Sequence, residues 1–338
     1  MGTPAALANE ANITANSLQS PLRRCITSSV LGILNVGLIS ILSSSQSSIC
    51  LIFVFTQTAD AHVGRDIQIF ELATEDLPDL KDGSIQDWED VLGDNFLTMD
   101  DFETLDDGGH GGAPKDPADM DYKVYLAWNS RDQRIYVGVD RTDNIYLNNV
   151  SPDEALDGWQ WDSIEVYLDG DHSGGQFNLF SGDDAQILQA RQAQQWLVVP
   201  ESTGDHPAGC FCQDKKWAED SPWTDAGGMS EGSDPVHTVS EMALTAWDDL
   251  DSEGPGTSTR STLEAGKTIG FSLTINDFDE APAQYHATHT FTYVGDGYYQ
   301  GGSLADAELV PCTGGDCGSA PTAVESNTWG RIKASFKD

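Results

Sequence analysis

From Asp162 the chain reads Asp-Ser-Ile-Glu-Val-Tyr-Leu-Asp, with Ile164, Val166 and Leu168 alternating against Ser163, Glu165 and Tyr167. A period of two sends the two sets to opposite faces of a β-strand, so Glu165 is expected to point away from the core. Similar short runs, each bounded by turn residues, occur at Asp66 to Leu72, Tyr122 to Trp128, Arg134 to Asp140, Gln186 to Ala190 and Gln195 to Val199. Further runs lie at Val236 to Leu244, Ile269 to Ile275, His289 to Val294 and Arg331 to Phe336. The pair flanking Asn129-Ser-Arg-Asp predicts a hairpin. Outside the N-terminal region no apolar repeat of helical period exceeds two turns. The pattern predicts an all-β fold, an antiparallel β-sandwich of two sheets, jelly-roll or immunoglobulin-like, with long acidic loops.

Between these runs lie polar stretches. Asp100 to Asp121 is dominated by Asp, Gly, Pro and His and predicts a loop, as does the Gly/Ser/Thr-rich stretch Asp251 to Arg260. Residues 200–234 form an insertion rich in Gly, Asp, Pro and Ser that carries Cys210, Cys212, Trp217 and Trp223. It is expected to be a disulfide-pinned lid over the end of the sandwich. At the N-terminus, Arg23 and Arg24 precede an apolar run from Val30 to Leu42, a polar break, a second run from Ile49 to Phe55, and Ala59-Asp-Ala61. A basic start, a short apolar core and an Ala-x-Ala end describe an export signal. Neither run approaches the ~20 residues that a membrane span needs. The expectation is therefore a signal peptide or export segment over 1–61 and one sandwich domain over 62–338, with no membrane span left after cleavage. Such a protein would be secreted, periplasmic or held at the cell surface.

Charge narrows the partners. The chain holds 55 Asp and Glu against 17 Lys and Arg, a formal net charge of −38. Glu10 and Asp60 cancel Arg23 and Arg24, so the whole excess falls on 62–338. A phosphate backbone would be repelled, which excludes nucleic acid as a partner. The excess suits a solvated surface in salty water or carboxylates gathered around divalent cations.

Several patterns carry candidate chemistry. Trp159 stands in a loop six residues before Glu165, and an aromatic plate beside a carboxylate suits a sugar ring: the plate covers its C–H face and the acid accepts its hydroxyl hydrogens. Asp169, Asp171 and Ser173 place oxygens at alternate positions of a glycine-bent loop, as a calcium ion requires, and Asp277 with Asp279 offers a similar set, as do Asp140, Asp143 and Asn144. Four cysteines lie beyond the export segment. Cys312 and Cys317 flank a short glycine-containing loop and are expected to pair, whereas a direct Cys210–Cys212 bridge would be strained, leaving crossed pairing between the two clusters as the alternative. No His-Glu-x-x-His or phosphate loop is present, and scattered acids alone do not make a glycosidase. The protein is read as a non-enzyme.

Six segments in order also resemble family 9 carbohydrate-binding modules: DGSIQDW at 82–88, KVYLAWNSRDQRIYVGVDRTDN at 123–144, WQWDSIEVYLD at 159–169, VSEMALTAWDDL at 239–250, GKTIGFSLTINDFD at 266–279 and WGRIKASF at 329–336. The resemblance spans Asp82 to the C-terminus, interrupted by the insertion. It implies a β-sandwich of the DOMON-like sugar- and haem-binding superfamily that binds carbohydrate or polysaccharide without cleaving it and carries structural calcium. By position, Trp159 and Glu165 match the first clamp tryptophan and the acid, and Asn276 a hydroxyl-binding asparagine. The family's arginine has no direct match after Asp183-Asp-Ala-Gln186; Arg191 would substitute only if the strand register slipped. The second clamp tryptophan also lacks a counterpart unless Trp217, Trp223, Tyr298 or Tyr299 serves from a loop. Two other functions accompany this reading: a structural or adhesive surface protein that keeps the fold without sugar binding, and a periplasmic haem-binding electron-transfer subunit using Met229, Met242, His237 or Lys267 as axial ligands.

Overall fold

A computed structural model describes residues 65–106, 109–148, 150, 157–178, 188–198, 208–292 and 298–312. The expected export segment, the strand at 331–336, Trp329, Cys317 and the turn at 183–186 lie outside them. Strands dominate. They are β1 (Asp66–Glu71), β2 (Leu97–Thr98), β3 (Glu103–Thr104), β4 (Met120–Asn129), β5 (Arg134–Asp143), β6 (Ser163–Asp169), β7 (Gln194–Val198) and β8 (Ala208–Cys210). There follow β9 (Thr224–Gly232), β10 (Val236–Leu244), β11 (Trp247–Asp249), β12 (Thr259–Arg260), β13 (Thr268–Asp277), β14 (Ala287–Thr290) and β15 (Ala305–Val310). Among the described residues one α-helix, α1 (Gln86–Leu92), joins them.

The all-β expectation holds, but the two antiparallel sheets do not. The strands form one mixed sheet in the order β8-β7-β6-β13-β15-β1-β4-β5-β10-β9, with β14, β3 and β2 attached at its side and a separate β11–β12 pair. β1 is the reason: it lies between β15 and β4 and runs parallel to both, joining what would otherwise be two sheets. The sheet curls over a single core. Ile164, Val166, Trp196 and Leu273 from one half meet Val124, Leu126, Val137 and Met242 from the other in one buried cluster. Strand periodicity therefore predicted the inward faces correctly, while the parallel pairing depends on contacts between distant segments that periodicity does not encode.

The outer face of the β4–β5–β10 half is covered by α1, whose Trp88 and Leu92, four residues apart on one helical face, pack against Tyr125, Ala127 and Tyr136. β4 is consequently buried on both sides along most of its length.

The described part of the insertion, 208–234, builds the sheet itself, where a disulfide-pinned lid over its end was expected. β8 extends the β7 edge and β9 pairs with β10 over nine residues, so the insertion supplies the strands at both ends of the sheet and packs them together. A 3-10 turn at Lys216–Glu219 links them, with Trp217 and Trp223 stacked on buried Trp247 at centroid distances of 5.2 Å each. The sequence of β9, Thr-Asp-Ala-Gly-Gly-Met-Ser-Glu-Gly, reads as a turn, because its glycines serve a crossing. A Cβ at Gly227 would lie 1.7 Å from the Leu80 carbonyl oxygen, so only glycine lets the 80–81 segment pass over the strand.

Candidate functional site

The face of β6 that carries Glu165 and Tyr167 faces a cavity rather than an open surface. It forms the floor of a cavity of about 580 Å³, together with Gln195 of β7, Ser272, Thr274 and Asn276 of β13 and Thr288 and Thr290 of β14. The register sets these polar residues side by side: Thr274 opposes Glu165, Tyr167 opposes Gln195, and Asn276 opposes both Ser163 and Thr288. The rim is aromatic, formed by Trp159, Phe211, Tyr285 and Tyr298, with His110 and Leu105. Trp159, 38% exposed, sits on a short turn whose backbone carbonyl accepts a hydrogen bond from the Tyr285 hydroxyl at 3.1 Å. Tyr285 is itself stacked on buried Phe278 at 4.5 Å and lies 5.0 Å from the His110 ring. The rim is thus tied to the core through successive ring contacts.

Glu165 points away from the core, as the alternation predicted, yet is only 7% exposed. Burial pushes its pKa above the usual carboxylate range, opposed by three donors. The Tyr167 hydroxyl and Gln195 Nε2 (2.7 Å) donate to Oε2, and Asn276 Nδ2 (3.0 Å) donates to Oε1. Asn276 also donates to Ser163 Oγ at 3.2 Å. The network continues outward: Asn178 donates to Gln195 Oε1, and Gln189 Nε2 donates to Asn178 Oδ1 and to the Phe211 carbonyl. The floor is a preorganised array of carboxylate, amide and hydroxyl groups.

Of the residues expected at the sugar site, Trp159, Glu165 and Asn276 meet in this cavity and Arg191 does not. Arg191 forms a two-pronged ion pair with Asp249, at 2.5 and 3.0 Å, on the outside of the molecule. The chain at 188–190 is turn rather than strand, and it is Gln189 that turns inward. Trp217 and Trp223 are committed to the tryptophan cluster, whereas Tyr298 lines the cavity. Phe211, Gln189, Gln195 and His110 were missed. Only Gln195 had a usable signal, as the alternate partner of Trp196 in a predicted strand.

The expected metal groups are used differently. The Asp169 carboxylate accepts the backbone N–H groups of Ser173 (3.2 Å) and Gly174 (2.7 Å), and Asp171 accepts that of Ser173 (3.1 Å), so these acids cap their own loop. Asp277 lies where two acidic groups meet. On one side, Asp143, Asp162 and Asp277 surround the fully buried Arg141, which donates to Asp143, to Asp162 at 2.8 Å and to the Asn276 carbonyl at 3.0 Å. On the other, oxygens of Asp119 and Asp277 and a nitrogen of His286 fall within 4.8 Å of one another, and Asp279 contacts His286 at 3.1 Å. Asp277 is 1% exposed, neither of its oxygens has a hydrogen-bond partner, and Arg141 is 3.8 Å away. Burial drives its pKa up to about 8. With one guanidinium facing three carboxylates, the raised pKa means that Asp277 holds a proton near neutral pH, and a hard cation with oxygen ligands would compensate the same charge by displacing it.

The residues named for haem are engaged elsewhere than in the cavity. Met242 is in the core, Met229 packs beside Gly83, His237 contacts Asp140 at 2.5 Å, and Lys267 donates to Ser261 and Thr262; none lines the cavity. Cys210 pairs directly with Cys212, the bridge that the short spacing disfavours, with both side chains in the buried core at a Cα separation of 5.0 Å. Cys312 is also disulfide-bonded. No helix among the described residues is long and apolar enough to cross a membrane.

No family model matches the sequence, and no curated relative matches it either. Among solved structures, the chain is similar to a carbohydrate-binding module of family 9 from Caldicellulosiruptor kristjanssonii in complex with cellotriose, at a TM-score of 0.45 and 16% identity over 77% of this chain and 100% of that one. It is similar also to such a module from the same organism in complex with glucose, at 0.45 and 16% over 73% and 96%. A likeness of this depth leaves function to the chemistry of the site itself.

Proposed function

We propose that this protein is an exported, non-catalytic carbohydrate-binding domain whose ligand enters the aromatic-rimmed cavity and stacks on Trp159. The observation that carries the reading is the pairing of an exposed indole at the rim with a floor of Glu165, Asn276, Gln195 and strand hydroxyls. Flat rings match the C–H faces of a sugar, and oriented acceptors and donors match its hydroxyls, which is the composition of a site for an amphipathic ring rather than an apolar one. Glu165 is the single carboxylate among the described lining residues. Hydrolysis by a pair of acids about 5–9 Å apart would need a second. Calcium, in this reading, is held by Asp277, Asp119 and Asp279, with Asn144, whose buried Oδ1 lacks a partner, close by on the Asp119 backbone.

A glycan array, run with and without a chelator, tests the proposal. Retention of glucose-containing or related oligosaccharides is the expected result, with a lower thermal midpoint after chelation. An array without retained glycans, alongside preserved calcium-dependent stability, would instead mark a structural or adhesive surface protein.

A further inference from the structure

The insertion does more than close the sheet, because its Cys-Phe-Cys segment reaches the cavity. β8 pairs with β7 so that Cys210 faces Trp196, and the next residue, Phe211, donates its backbone N–H to the Gln195 carbonyl at 3.0 Å. Successive side chains on a strand alternate, so Cys210 and Cys212 fall on the core face and Phe211 on the face of Gln195, which lines the cavity. The structure shows this division: both cysteines belong to the buried core, whereas half-buried Phe211 stands at the cavity rim. An extended chain separates residues i and i+2 by about 6.6 Å, from a rise of ~3.3 Å per residue. The bridged cysteines are 5.0 Å apart, so the disulfide shortens the core side and bends the chain outward at Phe211.

We infer that the Cys210–Cys212 disulfide holds Phe211 as a second aromatic wall of the ligand cavity, and that its reduction lowers ligand affinity. The inference rests on the cavity being a saccharide site. The polar contacts favour it, since the Phe211 carbonyl accepts from Gln189 Nε2 at 2.7 Å and Gln189 connects through Asn178 and Gln195 to Glu165. Loss of the bend would therefore disturb the ring and the floor together. Reduction breaks the S–S bond with two electrons and two protons from a dithiol, which itself becomes a disulfide, leaving two thiols on this chain. Phe211 acts here as a contact residue, and the cysteines as positioning residues.

The test is calorimetric titration of the full chain with the best glycan from the array, before and after dithiothreitol, with the thermal midpoint recorded in each state. The C210S/C212S variant separates this bridge from that of Cys312, and F211A removes the wall. Reduced wild type and C210S/C212S are expected to bind about three- to tenfold more weakly than oxidised wild type while still unfolding cooperatively, as expected for losing one ring contact. F211A should bind equally weakly in both redox states. Unchanged affinity on reduction, or a redox response that persists in F211A, would overturn the inference and leave the carbohydrate reading standing. If oxidised wild type binds no glycan at all, the carbohydrate reading fails first and the inference with it.

Discussion

Glu241 shows what one side chain contributes beyond the ligand site. It is fully buried on β10 opposite Gly138 and Gly227, accepts a hydrogen bond from the Trp88 indole N–H at 2.7 Å, and leaves its second oxygen without a partner. Burial raises its pKa from 4.5 to about 8. The folded state keeps a proton that the unfolded chain has released, so this group favours folding less as pH rises from the ordinary carboxylate range to about 8, and its effect is constant above that. The slope is at most about 1.4 kcal/mol per pH unit. Urea midpoints measured from pH 5 to 9 should fall for wild type, and E241Q, which keeps the acceptor for Trp88 and loses the titration, should show a flatter profile and gain most at high pH. A parallel decline in both proteins would mean that Glu241 is already ionised in the fold.

At the scale of elements, β6 was read almost residue for residue from its alternation, and β10 over its whole length, because each buries one apolar face against the same core. β9 was not read, since the glycines that make the crossing at Leu80 possible also remove its strand signal. G227A is predicted to destabilise the protein by at least about 1–3 kcal/mol, the usual cost of overpacking, because the clash is with backbone that cannot rotate away. Chemical denaturation with an unchanged m-value would show it, whereas a midpoint equal to wild type would mean the 80–81 segment does not cross there. The candidate site was legible to the same degree as the strands beneath it. Trp159, Glu165 and Asn276 come from β6, its preceding loop and β13; Phe211, Gln189 and His110 come from turns and the insertion, where position depends on tertiary packing rather than on period. Arg191 was misplaced for this reason, since the chain there turns instead of extending.

The described residues form a curled sheet that buries the carboxylates of Asp143, Asp162 and Asp277, in a strongly acidic chain. Its formal charge of −38 repels itself, so monovalent salt should raise the thermal midpoint gradually by screening. Calcium should act differently, at low concentration and with saturation, because a bound ion stabilises by mass action. D277N is expected to abolish the saturating calcium effect and leave the gradual salt effect intact. If calcium and sodium chloride give indistinguishable curves at matched ionic strength, the acids around Asp277 hold no ion.

In the proposed function the Trp159 indole, lining the same cavity as Glu165 and Asn276, is the platform on which a sugar rests. Calorimetric titration of wild type and W159A with the best array glycan tests it most directly when paired with the thermal midpoint of each. W159A is expected to lose at least about tenfold in affinity with a midpoint within a few degrees of wild type, since a side chain 38% exposed contributes little to the core. Wild-type affinity in a folded W159A would contradict it.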